Sequence, residues 1–353
     1  MKSSIRSTSQ LARLLGLSRW TISRALNDHP GLNAGTVKKI KETARRHGFA
    51  PSLLGRGLRT GRTDQAGVCL PDLVDYFLTA KITFLQRALQ EHGLQPLLQI
   101  TDGSAENENA VLERFAALRC AGVVLIASRL DDRSPGRRSL AAAGIPLVHI
   151  DPLHPAGRSS VSTDRRSAMI QALTHLHHLG HRRLVAAGFS RTDAYGLQRI
   201  GGLQAACRKL GWNFRRDIHL LEHRGSIGDL PAGESLAELY LKTASGIPAI
   251  LAINDRVALG LMRGLQTHGI EIPRDVSIIG YDNSDFCPYA SPALTTIDPQ
   301  GELLIGQAVA MLPFGRVPLQ KSTAKRLLIT PKLIRRASDG PPPKIRNGKK
   351  LIF

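Results

Sequence analysis

Acidic residues are scarce in this chain: 28 Asp and Glu stand against 48 Lys and Arg in 353 residues, a formal net charge of +20. A field of that sign attracts polyanions, so nucleic acid or an anionic surface is the expected class of partner. Long apolar runs are missing as well, which leaves no segment able to span a bilayer. The opening MKSSIRSTSQLARLLG lacks the apolar core of a secretory signal. The expected location is therefore the cytoplasm, without a membrane partner. Cysteine is sparse: Cys69, Cys120, Cys207 and Cys287 lie far apart, with no CxxC and no Cys/His spacing. They read as reduced, buried thiols and speak against a zinc site. No G-x-G-x-x-G follows the first apolar strand, and neither a phosphate-loop pattern nor a nucleophile–base pair is visible. No catalytic residue, cofactor or metal is expected.

What is present is unevenly placed. Residues 1–62 hold thirteen Lys or Arg against two acids, Asp28 and Glu42, and so carry over half of the net charge. A second basic patch, Lys344, Arg346, Lys349 and Lys350, follows Pro341-Pro342-Pro343. That composition predicts a disordered tail over 341–353, with no leucine heptads to build a tetramer. The histidines His175, His177, His178 and His181 gather before and after Leu179-Gly180. They read as cations at a helix C-terminus, where the dipole favours them, since no carboxylate or thiol adjoins them in sequence.

The first fifty residues spell three short helices. Ser7 can cap one that carries Leu11, Ala12, Leu14 and Leu15 on a single stripe and stops at Gly16. Ser18 can cap a second over 19–27, with Ile22, Ala25 and Leu26 inward, and Asn33 a third with Val37, Ile40 and Ala44 inward. Helix, glycine turn, helix is the helix-turn-helix pattern, whose second helix enters the major groove. Arg19, Trp20, Ser23 and Arg24 then fall on its outer face. An arginine fork can bond guanine O6 and N7 together, and Trp20 offers apolar contact to a thymine methyl or a sugar. Thr8, Ser18, Thr21, Asn27 and Asn33 suit phosphate contacts, which set register without reading sequence.

From residue 63 short apolar runs alternate with amphipathic stretches. Strands are predicted at 66–70, 94–100, 122–126, 147–150, 184–187, 250–253 and 276–279. Helices are predicted near 78–92, 107–118, 165–179, 197–210, 233–244, 255–268 and 301–312. Strand–helix alternation implies doubly wound parallel sheets. Gly-Ile-Pro recurs at 144–146 and 246–248, a weak sign of two similar lobes. In such sheets ligands sit outside the carboxyl ends of the strands, where Asp151, Asn254 and Asp282 stand.

The stretch Gln10–Asn27, QLARLLGLSRWTISRALN, resembles the DNA-binding headpiece of the lac-repressor (LacI) family. Phe49-Ala-Pro51 and Leu58-Arg-Thr-Gly61 continue the likeness. So do Gly67-Val-Cys-Leu-Pro71, Arg199-Ile-Gly-Gly202, Ile253–Gly260, Asp275–Asp282 and Ser291–Ile297, in order and over about residues 7–340. The resemblance implies a helix-turn-helix domain over 1–49, a hinge over 50–62 and an effector-binding and dimerisation core over 63–340. That core would be two α/β lobes like those of periplasmic sugar-binding proteins. The N-lobe would hold about 63–163 and 291–320, and the C-lobe about 164–290 and 321–340. Three crossings would lie near 162–166, 288–294 and 316–326.

The resemblance also assigns roles. Leu58 matches the hinge leucine that wedges into the minor groove, and an apolar wedge there kinks the duplex. Gly55 and Gly57, on either side of Arg56, weaken a hinge helix and should make it depend on DNA for its order. Arg199 occupies the effector arginine's place, and Asp75, Tyr76 and Phe77 follow the first strand at the pocket. With Asp151, Asn254 and Asp282 they compose a cleft for a neutral sugar or polyol. The expected protein is a homodimeric transcriptional repressor on near-palindromic double-stranded DNA, its affinity set by a small-molecule effector. Rival readings are a DNA-binding regulator that has lost effector sensing, a sugar-binding protein with no regulatory role, and an enzyme on a doubly wound fold.

Overall fold

The structure is a computed structural model. It describes residues 5, 7–27, 29–50, 61–72, 76–154, 159–222, 229–313 and 325–343, with the backbone alone for 76–79. Leu58, Asp75, most of the expected hinge and the tail beyond Pro343 lie outside the described residues.

The headpiece is three helices, α1 (Thr8–Leu15), α2 (Arg19–Leu26) and α3 (Ala34–Arg46). Ser7, Ser18 and Asn33 cap them as their short acceptor side chains allow, and Gly16 closes α1 in the left-handed conformation at φ 64°. Leu11, Ile22, Ala25, Ile40 and Ala44 form its small core.

The core domain has two layered lobes. In the N-lobe, β1 (Gln65–Leu70), β2 (Gln95–Ile100), β3 (Gly122–Ile126), β4 (Leu147–Ile150), β5 (Ser159–Thr163) and β11 (Lys325–Ile329) form a parallel sheet in the order β11-β5-β4-β3-β1-β2. Helices α4 (Tyr76–Glu91) and α12 (Gly301–Ala310) cover one face, while α5 (Ala105–Ala117) and α6 (Pro135–Ala142) cover the other. In the C-lobe, β6 (Leu184–Ala187), β7 (Ile218–Leu221), β8 (Ala249–Ala252), β9 (Ser277–Tyr281), β10 (Thr295–Asp298) and β12 (Lys332–Ile334) run in the order β12-β10-β9-β8-β6-β7. Only β12 pairs antiparallel among the described strands. Helices α7 (Arg165–His178), α8 (Ala194–Leu210) and the single turn α9 (Phe214–Asp217) lie with one face of this sheet; α10 (Leu230–Thr243) and α11 (Asp255–Thr267) lie on the other. The central strands are buried on both faces, as a parallel sheet covered on each side requires.

Helices α10 and α11 approach backbone to backbone. A Cβ on Gly260 would stand 2.1 Å from the Leu230 carbonyl oxygen, and one on Gly233 would stand 2.4 Å from that of Val257. Only glycine permits this crossing.

The chain crosses between lobes at 163–165, 298–301 and 329–332. The first crossing falls inside the expected window; the other two come later. Thr295–Asp298, expected in the N-lobe, adds to the C-lobe sheet beside β9, and Lys325–Ile329, expected in the C-lobe, adds to the N-lobe sheet beside β5. The physical reason is that a short strand's own pattern records burial and not which sheet buries it. The strands β5, β7, β10, β11 and β12 and the helix α6 also escaped the periodicity reading, each being too short or too polar to stand out.

Candidate functional site

Two faces carry chemistry. The first is the outer side of α2, where Arg19, Trp20, Ser23 and Arg24 surround one open cleft together with His29. Trp20 is 62% exposed, unusual for so large an apolar side chain. The Arg24 guanidinium carbon lies 4.5 Å from the centroid of the Trp20 ring, and its Nη2 donates to the Pro30 carbonyl. The polar residues expected at phosphates are placed at helix ends. Ser18 Oγ accepts from the Thr21 amide at 3.0 Å and lies 2.9 Å from the Thr21 hydroxyl. Asn33 Oδ1 accepts from the Gly35 amide at 2.8 Å, and Asn27 Nδ2 donates to the Ser23 carbonyl at 2.6 Å. Thr8 opens α1 and is half-buried. Ser18, Thr21, Asn27 and Asn33 thereby rigidify the motif through bonds of their own. His29 was absent from the sequence reading; its place in the turn after α2 was the available signal.

The second face is the cleft between the lobes, a cavity of about 330 Å³ reached by the carboxyl ends of strands from both sheets. Asp151, Arg199, Asn254 and Asp282 all line it, as expected from their strand-end and helix positions. Of Tyr76 and Phe77 only the backbone, at the start of α4, is described. Asp151 ends β4 with φ 49° and is 2% exposed. Its Oδ2 receives Lys81 Nζ at 2.8 Å, and its Oδ1 receives the Thr163 amide and Arg165 Nη1, each at 2.9 Å. Its backbone carbonyl accepts the Tyr195 hydroxyl. Arg165 and Tyr195 belong to C-lobe helices, so this N-lobe residue ties the lobes together. Burial alone would raise the Asp151 carboxyl, but Arg165 and Lys81 outweigh it and hold the group well below the usual carboxylate range. Asn254 Oδ1 caps α11 through the Val257 amide at 2.8 Å, and Asp282 sits at φ 110° with its amide bonded to the Ile297 carbonyl.

Arg199 differs. It is 9% exposed, its guanidinium carbon lies 4.6 Å from the Tyr281 ring centroid, and its Nε has no partner among the described residues. The Tyr281 hydroxyl beside it is likewise buried and unpartnered, with burial pushing its pKa up to about 12 against the opposing pull of Arg165 and Arg199. Arg165 stacks on Tyr195 at 4.0 Å on the same floor. Cations and carboxylates nearly balance: Lys81, Arg165 and Arg199 face Asp72, Asp151, Asp193 and Asp282.

The sequence reading missed Lys81, Arg165 and Tyr195. Two signals were legible. Lys81 is a lone charge inside the apolar run YFLTAKITFL, and Tyr195 precedes Arg199 by one helical turn. Three of the four clustered histidines make structural bonds, and His181 is not the surface cation expected: it is 1% exposed and burial lowers its pKa. His175 Nε2 meets Asp339 at 2.6 Å, His177 Nδ1 accepts from Trp212 Nε1 at 2.9 Å, and His181 Nε2 lies 2.9 Å from the Gly340 carbonyl. Asp339, a carboxylate remote in sequence, adjoins them after all, and among the described residues no group of three or more acidic, histidine or cysteine side chains could hold a metal.

A capped three-helix DNA-reading headpiece ahead of a two-lobed α/β core with a polar interlobe cavity defines a DNA-binding protein with a small-molecule sensor fold. Residues 173–338 match the periplasmic binding protein-like domain. The chain is 30% identical over 346 residues to the HTH-type transcriptional regulator AglR of Rhizobium meliloti, covering 95% of this chain and 94% of that one. It is 26% identical over 340 residues to the regulator CelR of Thermobifida fusca, covering 93% and 96%. Among solved structures it is similar to the lac repressor dimer bound to operator and the anti-inducer ONPF, with TM-score 0.81 and 20% identity over 95% of this chain and 99% of that one. It is also similar to a CelR–cellobiose complex, with TM-score 0.66 and 23% identity over 94% and 99%. The chain belongs to the LacI family of DNA-binding transcriptional regulators. No described helix is long and apolar enough to cross a membrane.

Proposed function

We propose that this regulator is a cytoplasmic repressor that binds a near-palindromic operator as a homodimer and senses a neutral sugar or polyol in the interlobe cleft. Arg19, Ser23 and Arg24 read bases from the α2 face that Trp20 shares; Ser18, Thr21, Asn27, Asn33 and Thr8 face phosphates; Leu58 wedges between base pairs. Arg199 is the central effector contact, with Asp282, Asn254 and the start of α4 around it.

The observation that carries the effector reading is the buried Nε of Arg199 beside Tyr281, whose hydroxyl, like that Nε, has no partner among the described residues, in a cavity of about 330 Å³. A buried polar group without a partner costs about 1–3 kcal/mol, which ligand hydroxyls would recover. The near balance of charge in the cleft favours a neutral ligand over an anion. Sugar ligands in related proteins, cellobiose with CelR among them, support the same class.

Calorimetric titration of the purified full chain with a panel of mono- and disaccharides and polyols tests this. One of them should bind saturably and shift operator affinity, and Arg199→Ala should weaken it by about tenfold or more, as expected for truncating a buried charged donor. If every compound fails while operator binding is intact, the protein is a regulator without sugar sensing.

A further inference from the structure

We propose that Trp20 is a positioning residue for Arg24, and that the pair acts as one preformed unit reading a single guanine in the operator. This rests on α2 being the groove-reading helix.

The two residues stand four apart on α2 and share one face. The Arg24 guanidinium is held from two sides: Trp20 at 4.5 Å across the ring, and the Pro30 carbonyl accepting from Nη2. The turn leaves room for this seat: a Cβ on Gly31 (φ 95°) would stand 3.3 Å from Nη2. A side chain at Gly31 would require the guanidinium to shift by a few tenths of an ångström, and the backbone angle also favours glycine.

A free arginine loses much rotamer freedom when it docks on a base, whereas one already clamped loses less. The guanidinium has five N–H groups, and Pro30 takes one. Arg24 Nε is buried and without a partner among the described residues, so the two-bond fork to guanine O6 and N7 falls to Nη1 and the second N–H of Nη2. Trp20 is 62% exposed, and its partner in this structure is Arg24. Its large apolar surface on a DNA-reading face is thereby explained by what it holds, with no contact of its own to a base.

The test begins with selection of duplexes from a random pool by the full-length protein. Affinities are then measured for the selected duplex and for its replacements at the base pair where Arg24→Ala erases the preference. Trp20→Ala should reduce guanine preference at that same base pair by about two- to fivefold, the size of an exposed cation–π contact. Other positions and the thermal unfolding of the protein should be unchanged. Trp20→Phe should retain most of the preference, and the double variant should be no worse at that pair than Arg24→Ala. Several outcomes overturn the proposal: preference surviving Trp20→Ala, a loss spread evenly over all positions, a loss at a different base pair, or an Arg24→Ala protein that loses no preference. A wild-type protein that selects no consensus overturns it together with the headpiece assignment.

Discussion

Replacing Asp151 with Asn removes one negative charge from the floor of the cleft and little else. Asparagine is nearly isosteric and tolerates the left-handed backbone at φ 49°. The Tyr195 bond goes to the backbone carbonyl and survives. What is lost is the one counter-charge that Arg165 has among the described residues and an ion pair of Lys81, both cations being less than 9% exposed in their side chains. Breaking a buried pair by removing one partner destabilises by about 3–5 kcal/mol, because the charge left behind stays desolvated. Two cations share this carboxylate, so the upper half of that range is expected. Urea unfolding followed by far-ultraviolet circular dichroism measures it, with the slope m compared to confirm that the same surface unfolds. Adding Lys81→Met to the Asn variant should restore part of the loss, since one buried cation beside the lost carboxylate is removed. The sign with pH also follows. The folded carboxyl lies below its ordinary value of 3.8, so its contribution is complete above that pH and is lost as pH falls through the lower, folded value. An Asp151→Asn protein within about 0.5 kcal/mol of wild type, the range of an unremarkable surface change, would refute the reasoning.

His149 is 1% exposed with neither ring nitrogen partnered among the described residues, and burial first, then the Arg137 charge, lower its pKa from 6.5 to about 3. Between pH 6.5 and about 3 its unfolded form takes up a proton and its folded form does not. Stability is therefore whole above pH 6.5 and falls by about 1.4 kcal/mol per pH unit as pH drops toward 3. In His149→Leu that component of the slope should vanish in unfolding titrations between pH 6 and 4; an unchanged slope would contradict it. Gly260→Ala, which sets a Cβ 2.1 Å from a backbone carbonyl, should destabilise by about 1–3 kcal/mol even after alanine's helical advantage. Gly306→Ala, at an exposed position of α12 with nothing within 4 Å, should instead stabilise by up to about 1 kcal/mol, and paired thermal melts would show whether the two signs differ.

Local chemistry was legible wherever it is written in consecutive residues. Ser7, Ser18 and Asn33 announce the helix starts because a short acceptor side chain satisfies the first free amides whatever surrounds the helix. Apolar spacing in the first fifty residues marks the inward faces, so Trp20 and the arginines of α2 were left outward by exclusion. The major strands and helices of both lobes follow from burial on two faces or on one. Strand ends, in turn, locate Asp151, Asn254 and Asp282 at the cleft.

The tertiary structure decided what depends on distant partners. Nothing near Thr295 or Lys325 tells which sheet it will join, because a pleated strand offers the same hydrogen bonds to either neighbour; the crossings were displaced for that reason. Asp151 could be read as a ligand contact from its position alone, yet Lys81 and Arg165, 70 residues before and 14 after it, occupy its carboxylate. The same holds for Asp339 on His175, 164 residues away, and for Arg24, whose seat against Pro30 depends on how the turn after α2 folds back. A sequence by itself determines propensity, capping and the side each residue buries. Which charge meets which, and therefore which polar group remains open to a ligand, is set only when the sheets close and bring far segments within hydrogen-bond reach.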